Sequence, residues 1–123
     1  MKLIKKKTLV IGASAKPERY SNAAIKLLRD HGHPVIALAK RAGFVNGIPI
    51  ITEFPVNEKI HTVTLYVGPN HQPEYYNLLL ELKPERVIFN PGTFNDKFKG
   101  ILTDAEIEVY EGCTLIMLRS GEF

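Results

Sequence analysis

The sequence predicts a single α/β domain over residues 1–123: three layers, a mainly parallel five-stranded sheet and helices on both of its faces. Three observations carry this. Short, continuously apolar runs alternate with segments of helical period, the pattern of consecutive strand-helix-strand units. No repeat or Gly/Ser linker divides the 123 residues, a length near the commonest for one domain. Hydrophobic residues at 45% and charged residues at 24% are those of a chain that buries a core.

Thr8–Ile11 is the clearest strand, an apolar run ending at Gly12 as a strand buried on both sheet faces would. After the loop 13–20, Ser21 is the expected N-cap of a helix whose Ala24, Leu27, Leu28 and His31 share a face before Gly32 stops it. Pro34–Ala39, Thr62–Val67 and Arg86–Asn90 read as the second, third and fourth strands from their β-branched and aromatic content. Pro73 opens a helix that faces the core with Tyr76, Leu79 and Leu80 and ends at Lys83-Pro84. Thr93 and Asp96 have capping-box spacing ahead of the stripe Phe94, Phe98, Ile101, Leu102 and Ala105. Glu108–Tyr110 is a short fifth strand, and Cys113–Leu118 is read as a terminal helical turn in preference to a sixth strand. Residues 40–61 carry Gly43, Gly47, Pro49 and Pro55, which predict an irregular crossover with at most a short turn of helix. The right-handed crossover rule then gives the strand order 3-2-1-4-5.

Composition excludes several function classes. The one cysteine, Cys113, cannot close an internal disulfide; its apolar surroundings predict a buried, inert thiol and a reducing cytoplasm as the location. No apolar run approaches the ~20 residues of a membrane span, so no membrane partner is expected. The formal charge of +3 suits an anionic ligand, but the dense basic run Lys2, Lys5, Lys6 and Lys7 sits at a chain end without aromatic stacking partners. Nucleic acid is therefore not expected. His31, His33, His61 and His71 show no ligand spacing, so no metal is expected.

Ligands of open parallel sheets lie beyond the carboxyl ends of the strands. The first such loop, Gly12, Ala13, Ser14, Ala15, Lys16, Pro17, Glu18 and Arg19, combines small residues that admit a phosphate, a hydroxyl donor and two cations. It is not a dinucleotide fingerprint, because Ser14 and Pro17 stand where second and third glycines are needed. Nor is it a hydrolase elbow, since Lys16 replaces the final glycine and no Asp-then-His order completes a triad. After the second strand come Lys40 and Arg41, two bases where an NAD site has a ribose-binding acid. Adenine riboses with a phosphate occur in NADP and in coenzyme A. The third loop, Val67, Gly68, Pro69 and Asn70, and the fourth, Asn90, Pro91 and Gly92, offer backbone and amide groups rather than an acid, base and nucleophile. No catalysis by the isolated chain is expected.

Val10-Ile11-Gly12-Ala13-Ser14 with Lys16-Pro17-Glu18, Gly32, Asn46-Gly47, Phe54-Pro55, Asn90-Pro91-Gly92-Thr93 with Asn95, and Cys113 occur here in an order that resembles the stand-alone CoA-binding proteins. Their fold is similar to the N-terminal domain of the succinyl-CoA synthetase alpha subunit, and the resemblance covers the chain from about Lys7 to Leu118. It implies a Rossmann-like domain with CoA or an acyl-CoA across the strand ends. By position, the first loop would hold phosphates, Lys40 would face the nucleotide, and Val67 to Asn70 with Asn90 to Gly92 would line the remainder. The chain departs from the Pro-Val-Asn-Pro of many relatives at Ala37-Leu38-Ala39-Lys40. The alternatives are an NADP-binding oxidoreductase fragment and an interaction domain without its nucleotide. A homodimer or other protein partner is left open.

Overall fold

The computed structural model describes residues 4–123, so Lys2 of the basic run lies outside the described residues. Its core is an α/β Rossmann-like sheet with helices on both faces, but the sheet has seven strands and is mixed. In chain order the elements are β1 (Thr8–Ile11), α1 (Tyr20–Asp30), β2 (Val35–Leu38), β3 (Gly43–Val45), β4 (Ile48–Ile51), β5 (Thr62–Leu65), α2 (Tyr76–Leu82), β6 (Arg86–Phe89), α3 (Asp96–Asp104), β7 (Glu108–Glu111) and α4 (Thr114–Ser120). Single 3₁₀ turns at Pro69–His71 and Pro73–Tyr75 precede α2. The last apolar run is helical, as expected.

Strand alternation sorts the core. Leu9 and Ile11 of β1 face one cluster with Leu79, Phe89, Phe98 and Leu102, while Val10 faces Ile25, Leu28, Met117 and Leu118. Thus α2 and α3 cover one face, and α1 and α4 cover the other. Phe98 is fully buried edge-on to Phe89, at 5.7 Å and 85°, a packing whose loss costs about 3–5 kcal/mol.

The sheet order is β3-β4-β2-β1-β5-β6-β7, which corrects the five-stranded expectation twice. Residues 40–61 are not an irregular crossover but contain a hairpin, with β3 antiparallel to β4 about Asn46 and Gly47 at φ 47° and 84°. That turn needs two left-handed residues, which Asn-Gly supplies. Pro49 is tolerated because the pairing of β4 with β2 begins at Ile50. Since β4 takes the place beside β2, β5 returns to the other side of β1. The five expected strands therefore stand in the order 2-1-3-4-5 rather than 3-2-1-4-5.

Two caps, one core residue and the cysteine also differ. Arg19, not Ser21, is the extended residue before α1, because the Arg19 N–H already turns back to the Lys16 carbonyl at 3.1 Å. Ser21 is buried inside the first helical turn. Asn95, not Thr93, caps α3, its Oδ1 accepting from the Phe98 N–H at 3.1 Å. Phe94, one residue ahead of that cap, is 49% exposed rather than core. Cys113 precedes α4 and is only partly buried, which corrects the expectation of a buried thiol.

Candidate functional site

The revised strand order fixes where the loops diverge. Connections from β1 and β5 leave toward opposite faces, α1 on one and α2 on the other, so a crevice opens between their carboxyl ends. Gly12 forms its floor. At φ 94° it holds a backbone that side chains rarely adopt, and a Cβ there would lie 2.8 Å from the carbonyl carbon and oxygen of Tyr66. The loop is pinned from below, with the N–H groups of Gly12 and Ala13 donating to the Leu38 carbonyl at 2.9 and 3.1 Å.

Beyond this floor, the buried Asn22 of α1 donates from Nδ2 to the Ser14 carbonyl at 2.9 Å, and the Lys16 N–H donates to Ser14 Oγ at 3.1 Å. These bonds curl the loop so that Ser14, Lys16 and Arg19 surround the start of α1. They line a cleft of about 360 Å³ together with Gly12, Gly68, Pro91 and Gly92. The first N–H groups of a helix lack intrahelical acceptors, and with two exposed cations beside them the cleft favours an anion. Tyr66 forms another wall. Its hydroxyl is buried beside Thr64 and Thr114 but meets neither with hydrogen-bonding geometry, and burial pushes the phenol up to about 12.

A second cleft of about 270 Å³ shares Gly12 and runs toward Ala39, Lys40, Val67, His71 and Tyr75. Its walls are mostly carbon, with polar groups at the rim. The Lys40 ammonium there pairs with the Glu74 carboxylate and lies 6.0 Å from the centre of the Tyr75 ring.

The predicted residues divide accordingly. Gly12, Ser14, Lys16, Arg19, Gly68, Pro91 and Gly92 meet at the first cleft, and Lys40 and Val67 stand at the second. Ala13, Pro69, Asn70 and Asn90 line neither. For Asn90 the reason is plain, because its side chain points into the sheet. Nδ2 donates to Thr64 Oγ1 at 2.7 Å and to the Leu65 carbonyl at 2.8 Å, while Oδ1 accepts from the Thr114 N–H at 2.9 Å. Asn90 thus supports the turn that presents Pro91 and Gly92 and contributes no side-chain contact to the cleft.

Four residues of importance escaped the sequence reading. Tyr66 falls inside the expected strand Thr62–Val67, whereas β5 ends at Leu65. Tyr75 and Glu74 belong to a turn that carries no motif. Gln72 is wholly buried; its Nε2 donates to the carbonyls of Val67 and Thr93 at 3.0 and 2.7 Å, and its Oε1 accepts from Asn95 Nδ2 at 2.9 Å. It ties the loops after β5 and β6, which together form one side of the crevice, a role visible only once both loops are placed.

Comparison with known proteins agrees with this fold. A solved structure of an uncharacterized protein is 47% identical, with a TM-score of 0.95, covering 98% of this chain and 100% of that one. A hypothetical protein from Pyrococcus horikoshii OT3 is 25% identical, with a TM-score of 0.84, covering 95% of this chain and 83% of that one. A Thermus thermophilus protein at 20% identity and a TM-score of 0.84 shares the fold over 96% of this chain and 91% of its own. No match to a functionally curated protein reaches significance. The sequence model of the CoA binding domain matches residues 6–119, nearly the whole length, and with the crevice described above it establishes that the chain belongs to the CoA binding domain family.

Proposed function

We propose that the protein is a non-catalytic module that binds CoA or an acyl-CoA across the carboxyl ends of β1, β5 and β6. The observation that carries this reading is the pair of clefts joined at Gly12, one basic and one mostly apolar. That division fits a ligand with a polyanionic middle and a flat base at one end. The fit is backed by the Gly12 floor, where any Cβ would collide with backbone, and by Ser14, Lys16 and Arg19 around the first turn of α1.

The non-catalytic part is supported by what surrounds the anion cleft. Among the described residues, no carboxylate and no imidazole lines it, and Ser14 Oγ accepts from a backbone amide rather than giving a proton to a base. The reading includes a reducing cytoplasm, where Cys113 stays a thiol.

Native mass spectrometry of the purified protein, followed by calorimetric titration with CoA and NADP, tests the proposal. Saturable binding of CoA, with NADP weaker and acetyl-CoA recovered intact, is the expected outcome. Preferred binding of NADP, release of free CoA from acetyl-CoA, or binding of neither nucleotide overturns it.

A further inference from the structure

We propose that Glu74 sets the ligand preference at the nucleotide end of the cleft: by holding the Lys40 ammonium it withdraws the cation that a ribose phosphate would use, so CoA and dephospho-CoA bind nearly alike. This rests on the reading of the joined clefts as a CoA site. The sequence shows only bases after the second strand, yet the fold brings an acid there from a chain position 34 residues away.

The backbone that carries this carboxylate is held in place. Glu74 sits in the 3₁₀ turn Pro73–Tyr75, where Pro73 fixes one dihedral, Tyr75 is buried to 6% exposure, and the Tyr75 N–H donates to the Gln72 carbonyl at 2.8 Å. Gln72 in turn is locked by its own buried network. Lys40, by contrast, leaves the end of β2 with a side chain 77% exposed, free to seek whichever anion is nearest. Their hydrogen bond is the largest influence on each group, raising the Lys40 pKa and lowering that of Glu74, so both stay charged around neutrality.

A ribose phosphate arriving at this rim must replace Glu74 as the partner of Lys40. One exposed ion pair is then exchanged for another, and the displaced carboxylate stands beside the incoming phosphate, so little preference results. A ligand with a free ribose hydroxyl leaves the ion pair intact, and its hydroxyl finds an acceptor in Glu74.

Calorimetric titration with CoA and dephospho-CoA at one moderate salt concentration decides the matter. The unmodified protein is expected to bind the two within about twofold of each other, as an exchange of exposed pairs requires. Glu74→Gln frees Lys40 and raises the preference for CoA to about three- to fivefold, and adding Lys40→Met to that variant returns it to parity. A tenfold or greater preference in the unmodified protein, or an unchanged ratio in Glu74→Gln, overturns the inference while leaving the CoA site standing. Binding of neither ligand by the unmodified protein overturns the CoA reading and this inference with it.

Discussion

Gly12 and Tyr66 share one space: the backbone carbonyl of Tyr66 occupies the volume into which a side chain at residue 12 would point. Their strands are hydrogen-bonded there, the Tyr66 N–H donating to the Ile11 carbonyl at 2.8 Å, so neither backbone can retreat without breaking the ladder. Gly12→Ala combines this collision with strain at φ 94° and is expected to lower stability by at least about 2 kcal/mol. Denaturant unfolding measures it, and a loss below about 0.5 kcal/mol would show that the loop relaxes freely.

The buried amide of Gln72 braces the loops after β5 and β6 on one side of the crevice. Gln72→Leu keeps the volume but strands the Val67 and Thr93 carbonyls and takes one acceptor from Asn95, for an expected cost of about 2–4 kcal/mol. Thermal unfolding checks the stability, and calorimetry on the folded fraction checks that CoA binding weakens too. Unchanged stability would place the support of these loops elsewhere.

In the anion cleft, volume is expected to matter more than any single charge. Ser14→Leu fills space lined by Lys16, Gly68 and Gly92 and should weaken CoA at least about tenfold, whereas Lys16→Ala or Arg19→Ala, at exposed positions, should each cost about two- to fivefold. The charge variants lose their effect as salt rises and the steric one does not. Full affinity in Ser14→Leu, read by titration, would move the phosphates out of this cleft.

At the opposite end of the sheet, His33 accepts the Lys6 N–H at Nδ1, 3.0 Å away, which requires a neutral ring. Burial, with the charge of Lys6 second, lowers the His33 pKa; burial also lowers that of His61, opposed in part by Glu85. A base lowered in the folded state binds fewer protons there than in the unfolded chain. Its contribution is therefore complete above the unfolded value near about 6.5 and is lost as pH falls toward the folded value. Unfolding free energy is expected to drop between about pH 7.5 and about pH 5.5, and to drop less in His33→Gln. A flat or rising profile over that interval contradicts the assignment.

What the sequence determined by itself is local. The apolar run Thr8–Ile11, the glycine that ends it and the basic loop that follows were legible because burial period, turn residues and charge are properties of neighbours along the chain. The same holds for the strands beginning at Thr62, Arg86 and Glu108 and for the helical end of the chain. The hairpin about Asn46-Gly47 is local as well, since an Asn-Gly pair suits a tight turn with two left-handed residues, but Gly43, Pro49 and Pro55 around it have the composition of an irregular segment. The tertiary structure alone decided which strands are neighbours, because β4 and β5 compete for places beside β2 and β1 that no local pattern encodes. That choice moved the crevice to β1 and β5, turned Asn90 inward as a brace and seated Gln72 between two loops. It also put Glu74 against Lys40, since an exposed charge takes its partner from whatever the fold brings within reach.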